Sequence, residues 1–157
     1  MPSRVTVTIA RAQNLPIMDK KRKTTDAYVE IELPGPDDTT IREETQVRVG
    51  DLNPEWGERF VFEEVDDSIL QDQTILFTVK DDNKLQQDKI IGGIRIDLNC
   101  LLMHGNVQAA RKKQTQVCGE IVDKIEGWFQ IYDSLRGMVG ELLLSVEVVL
   151  LEDQMKF

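Results

Sequence analysis

Apolar and polar residues alternate with a period of two in segment after segment of this 157-residue chain, and no other feature restricts its fold more. Successive side chains on a strand point to opposite faces, so this pattern marks segments with one buried and one solvated face. Residues 5–9, 28–32, 60–62, 75–79 and 94–96 alternate in this way, and 128–132 and 141–148 continue the theme. A further strand around 45–49 brings the expected number to about eight. Clusters rich in Pro, Gly, Asp, Asn or Ser fall between them, at 34–38, 50–54, 81–83 and 134–137. Such residues favour turns because they fix the backbone, free it, or mimic it with a side chain. Short strands with turns and no helix between consecutive ones predict an all-β fold, an eight-stranded antiparallel β-sandwich.

One stretch breaks the pattern. Residues 98–124 contain no Pro and few Gly, and a short helix is expected near their middle, around 107–114. This insertion is either a solvated surface excursion or a protein-docking element in which Arg111, Lys112 and Lys113 face an acidic partner. The size fits one domain, residues 1–150, followed by a tail or the start of a linker at 151–157.

Several classes of function lose support from composition. A net charge of −9 opposes binding to nucleic acid, whose phosphates need a basic face. Two cysteines, Cys100 and Cys118, and one histidine, His104, make neither a disulfide framework nor a zinc site. No apolar run is long enough to cross a bilayer, the first residues lack a secretory pattern, and position 2 is not glycine. A cytoplasmic protein is expected. No nucleophile–base pair or phosphate-binding glycine loop is evident, so an enzyme is not expected.

Two short segments concentrate oxygen side chains. One holds Asp19 and Asp26; the other holds Asp81, Asn83 and Asp88. Each borders a predicted strand, so each is a loop tip. If the fold joins the tips, five oxygen ligands converge, and carboxylates so close repel unless a cation lies among them. Asp and Asn oxygens suit a hard cation, most often Ca2+. Any one of these residues alone needs no more than turn chemistry. An EF-hand is excluded, because Gln86 and Gly92 stand where that loop, counted from Asp81, requires Gly and Glu.

In order along the chain, these motifs resemble a C2 domain, the calcium- and lipid-binding sandwich of protein kinase C, synaptotagmins and cytosolic phospholipases. The strand at 5–9 leads into Asn14-Leu15-Pro16; Asp19 and Thr25-Asp26-Ala27-Tyr28 follow. Next come Asn53-Pro54-Glu55-Trp56, then Asp81 to Asn83, then Asp88 to Gly92. The likeness spans roughly 3–149, and its strand order is similar to the permuted, phospholipase-like branch. It implies a calcium-dependent membrane-targeting module that binds anionic phospholipid through loops 1 and 3, peripheral to the membrane when calcium is bound, as in membrane trafficking. The metal ligands it implies are Asp19, Asp26, Asp81, Asn83 and Asp88.

Membrane contact would fall to the basic run Lys20, Lys21, Arg22 and Lys23 and to the apolar Met18 and Leu85. Calcium would turn this tip net positive beside an anionic leaflet. Some departures from the family pattern bear on the site. Asn83 replaces a usual aspartate, Asp88 comes one residue early, and loop 1 is slightly long. Glu30, Glu32, Glu43 and Glu44 stand where some members carry a lysine-rich face. The alternative is a calcium-independent C2 domain serving protein–protein interaction.

Overall fold

The computed structural model describes residues 2–66, 74–98, 111–117 and 120–151. In chain order the strands are β1 (Pro2–Gln13), β2 (Ala27–Pro34), β3 (Thr40–Glu44), β4 (Glu55–Asp66) and β5 (Thr74–Asp81). β6 (Lys89–Asp97), β7 (Arg111–Val117), β8 (Glu120–Asp133) and β9 (Gly137–Leu151) complete the set. Every pairing is antiparallel, and the hydrogen-bonded path runs β3-β2-β5-β6-β8-β9-β1-β4, with β7 added to β8.

That path folds over at one point. β6 meets β8 only at Gly93↔Tyr132, whereas β8 and β9 pair along most of their length. Gly92 lies at the crease: a Cβ there would fall 2.8 Å from Ile131 Cγ2 and 2.9 Å from the Tyr132 carbonyl oxygen. Only glycine lets the backbones approach so closely. The two layers, β3-β2-β5-β6 and β8-β9-β1-β4, therefore close on each other as a sandwich. The alternating apolar side chains fill the space between. Val29, Ile31, Phe77 and Val79 from one layer meet Val7, Ile9, Leu142, Leu144 and Val146 from the other in a single buried cluster. β9 lies beside β1, as expected for an added closing strand in the permuted order.

The eight strands of the main path match the expected number, with one displaced. The third strand is Thr40–Glu44, not 45–49. Thr45 ends the ladder itself: its N–H donates to Val29 C=O at 2.9 Å, and its Oγ1 accepts Val29 N–H at 2.9 Å. Beyond it, Gln46 N–H donates to Glu58 Oε2 at 3.0 Å, and the chain regains β2 only at Ala27↔Arg48.

The expected helix is also corrected. Residues 111–117 are strand β7, so Arg111, Lys112 and Lys113 lie on a β-hairpin rather than on a docking helix. The physical reason is the edge of β8, which β6 leaves unpaired apart from Tyr132 and which β7 covers from Glu120 to Glu126. Residues 99–110, with Cys100, His104 and the first part of that predicted helix, lie outside the described residues, as do Cys118 and 152–157. β9 extends to Leu151.

Candidate functional site

Loop 1 joins β1 to β2, loop 2 joins β3 to β4, and loop 3 joins β5 to β6. Strand register makes them neighbours. Ala27, which opens β2, pairs with Asp81, which closes β5, and Arg48 of loop 2 bridges the same Ala27. Asp26 is the knot of this junction. Its N–H donates to Asp81 Oδ1 at 2.9 Å, and its C=O accepts the Asp82 N–H at 2.8 Å. Gly50 N–H donates to Asp26 Oδ1 at 2.8 Å. Gly50 has φ of +67°, a left-handed conformation that glycine adopts without a Cβ penalty.

The tip of loop 1 is a small closed turn. Asp19 and Thr24 exchange backbone hydrogen bonds of 3.0 and 3.3 Å, which absorbs the loop's extra length. Asp19 Oδ1 accepts the N–H groups of Lys21 and Arg22 at 3.0 and 3.2 Å. Beneath the tip, buried Thr25 donates its hydroxyl to Pro16 C=O at 2.6 Å and accepts Met18 N–H at 3.0 Å. Arg22 then folds back across both aspartates. Its Nε lies 2.7 Å from Asp19 Oδ2, and its Nη2 lies 2.7 Å from Asp26 Oδ2. A planar guanidinium fork suits two carboxylates at once.

These contacts leave the carboxylates in unequal states. Asp81 is only 6% exposed. Burial pushes its carboxyl above the usual aspartate range, and the charges of Asp26 and Asp19 push the same way. Asp19 is held below that range, chiefly by its hydrogen bond from the Arg22 side chain. Asp19, Asp26 and Asp81 thus share one field.

The other two predicted ligands do not share it. Asp88 Oδ2 accepts the Tyr28 hydroxyl, and its Oδ1 accepts Asn83 N–H at 2.9 Å. The Tyr28 bond is the larger reason that the Asp88 carboxyl sits below its ordinary value. Burial, and then Asp88, pushes the Tyr28 phenol well above its usual value. The Asn83 side-chain oxygen caps its own loop, accepting the N–H groups of Leu85 and Gln86 at 3.1 and 3.3 Å. Among the described residues, no three His, Cys, Asp or Glu side chains close on one ion-sized point. The donor chemistry nonetheless fits a hard cation. A guanidinium is already drawn across the Asp19 and Asp26 carboxylates, and Asp81 is destabilised as an anion by burial and by the charges of those two.

Around this cluster, Lys20, Lys21 and Lys23 are exposed and make no ion pair with another described residue, while Arg22 is engaged. Leu85 is 95% exposed. Met18 packs against the core, which leaves its neighbour Ile17 as the exposed apolar residue of loop 1. On the acidic strand face, Glu30 pairs with Lys80 at 2.7 Å and Glu32 with Arg42 at 3.2 Å.

Two features escape a reading of the sequence alone. Arg22 stands there as one member of a basic run, although its spacing of three from Asp19 and four from Asp26 is visible. Tyr28 stands there as a strand residue, and nothing in its spacing links it to Asp88.

A family model of the C2 domain matches residues 3–115. C2 domain-containing protein 5 of Mus musculus is 34% identical over 157 residues, which is 100% of this chain and 14% of that protein. Synaptotagmin-7 of Mus musculus is 34% identical over 90 residues, 57% of this chain and 22% of that protein. The chain therefore spans about one-seventh of the length of the first of these relatives. A C2 domain of plant Extended Synaptotagmin 1 superposes with a TM-score of 0.65 at 22% identity, covering 92% of each chain.

Proposed function

The chain belongs to the C2 domain family, and from that premise we propose that it is a calcium-dependent module that docks on anionic phospholipid through loops 1 and 3. One observation carries the reading. Arg22 joins Asp19 to Asp26, Asp81 accepts the Asp26 N–H and is pushed toward its neutral form by burial and by their charges, and loops 1 and 3 carry exposed lysines and Leu85. Those three aspartates would hold Ca2+, a hard cation whose charge offsets the carboxylates and whose open positions accept lipid phosphate oxygens. Asp88 would join after giving up the Tyr28 hydroxyl, and Asn83 after uncapping loop 3.

The chain's own residues do the rest. Asp26 ties loops 1, 2 and 3 together: its N–H donates to Asp81 Oδ1, its Oδ1 accepts the Gly50 N–H, and its C=O accepts the Asp82 N–H. Lys20, Lys21 and Lys23 stand free to meet an anionic leaflet, each contributing about 1 kcal/mol near the surface and less as salt rises. Leu85 offers apolar area for shallow insertion. The body's net charge of −9 opposes approach, so neutralising the carboxylate cluster is what lets the lysines act.

Calcium titration against phosphatidylserine vesicles tests the reading: sedimented protein should rise with calcium, fall with added salt, and fail to rise in Asp81→Asn. A second reading, a calcium-independent interaction domain, is favoured by Arg22 already lying across Asp19 and Asp26. A thermal midpoint that stays fixed at millimolar calcium would select it, because a ligand of the folded state must raise the midpoint.

A further inference from the structure

The loop pole has a fourth member that neither calcium nor the basic loop uses. It is the turn between β8 and β9, at 134–136. Arg136 fixes it in place. Its backbone N–H and its Nε each donate to Asp133 Oδ2 at 3.0 Å, closing the turn on itself. Its Nη2 donates to Ile91 C=O at 2.8 Å, near the start of β6, and its Nη1 lies 3.4 Å from Met18 Sδ of loop 1. The turn is therefore bolted to loop 1 and to the strand leaving loop 3. At its centre Leu135 is 93% exposed, nearly as far out in solvent as Leu85.

A single exposed leucine needs no explanation. The distribution does. Of nine large apolar residues exposed among the described ones, only Val61 and Trp128 lie along strands away from this pole. Ile17, Val49 and Leu85 stand on loops 1, 2 and 3. Ile90, Tyr132 and Met138 flank Leu135 where β6, β8 and β9 reach the same end. Tyr132 pairs with Met138 and shares a concave lining with Ile90, while Ile17, Val49, Leu85 and Leu135 each stand on a different loop or turn. Lys20, Lys21, Lys23 and Lys84, also exposed, stand on loops 1 and 3 beside Ile17 and Leu85. Isolated apolar tips beside unpaired cations suit an anionic bilayer surface, where each side chain finds its own depth and each charge its own headgroup.

We propose that the β8–β9 turn is an additional membrane-contact element, with Leu135 entering the headgroup–acyl boundary alongside Leu85. The inference rests on the membrane part of the function proposed above but not on its calcium part, because nothing in the turn ligates an ion. Arg136 acts as the positioning residue that keeps the turn level with loop 1.

The test is partition of the 157-residue chain onto phosphatidylserine–phosphatidylcholine vesicles, with calcium and with chelator. Leu135→Ser should weaken partition about tenfold, the scale expected for one leucine side chain leaving an apolar environment. Leu135→Trp should strengthen it, because tryptophan favours the interface. Val61→Ser, on the middle of β4, should change nothing, and the thermal midpoint of Leu135→Ser should equal that of the wild type. If the wild type binds vesicles and Leu135→Ser binds equally well, the turn faces some other partner and this inference is overturned while the loop-1 and loop-3 reading stands. If the wild type binds no vesicles under either condition, both are overturned.

Discussion

Around Asp26 the carboxylates are met by a guanidinium and by backbone N–H groups of neighbouring loops; around Asp88 they are met by a phenol and one amide. Both arrangements use aspartates at loop tips, yet the buried carboxyl of the first, Asp81, is pushed up whereas Asp88 of the second is held down. On the Asp26 side one arginine pairs with Asp19 and Asp26, while Asp81 is pushed toward protonation by burial and by the charges of those two. The Asp88 side holds one carboxylate that is content when ionised, because a hydroxyl points at it. A buried carboxylate crowded by like charge gains from a cation, whereas one stabilised by a hydroxyl must lose that bond to serve as a ligand. The contrast teaches that ligand-type residues are not equivalent until their existing partners are known.

The most drastic way to break the contrast is Asp81→Asn. The amide oxygen can still accept Asp26 N–H, so the loop junction survives while a ligand charge is lost. Calcium affinity should fall by more than about tenfold, because ligand charge count tunes such sites. The calcium-free chain should melt slightly higher, by about 2 °C, because a buried, repelled charge is gone. Scanning calorimetry with and without calcium reads both effects; a calcium-free midpoint that drops instead would sink the account of Asp81. Arg22→Gln should act in the opposite sense. Removing the internal cation frees Asp19 and Asp26, so calcium should bind about threefold more tightly by titration calorimetry. The modest size follows from how exposed the arginine is. Unchanged or weaker calcium binding would show that Arg22 does not compete for the site.

The sandwich is legible in the sequence because burial leaves a period-2 trace that no other element copies, as at residues 75–79 and 141–148. The third strand is misplaced by that trace because Thr45 ends the ladder with its side chain, a contact between distant residues that leaves no periodic mark. β7 escapes it because a polar segment such as Arg111–Val117 takes strand form from the open edge of β8, not from its own pattern. For the site, Asp19, Asp26 and Asp81 are legible as a group, since they flank strands that pair. The separation of Asn83 and Asp88 is not, because it depends on a tyrosine from another strand and on one side-chain cap. Leu135 is easily passed over inside a turn cluster, although an apolar residue at the centre of a turn is itself a signal.

Tyr28→Phe tests the quieter side of the site. Losing the hydroxyl removes one hydrogen bond to a charged group and should lower the midpoint slightly. It also frees Asp88, so calcium affinity should rise about twofold if Asp88 completes the site after release. Equal affinity in the two proteins would remove Asp88 from the ligand set.

The smallest effect, and the one that separates the two sides by sign, is their response to acid in the absence of calcium. Asp81 has its folded value raised, so the folded state takes up its proton first. That contribution to stability appears as pH falls from neutral through the raised value and is absent above it. Asp88 has its folded value lowered, so its contribution is present above the ordinary value of 3.8 and is lost as pH falls below it. Plots of midpoint against pH should therefore differ from wild type in two separate windows. Asp81→Asn should remove a gain on the less acidic side, and Asp88→Asn should remove a loss on the more acidic side. Other carboxylates, such as Glu30 held down by Lys80 and Asp133 held down by Arg136, titrate alike in all three proteins and cancel in the differences. Difference curves of the same sign for both substitutions would mean that the two sides share one field after all.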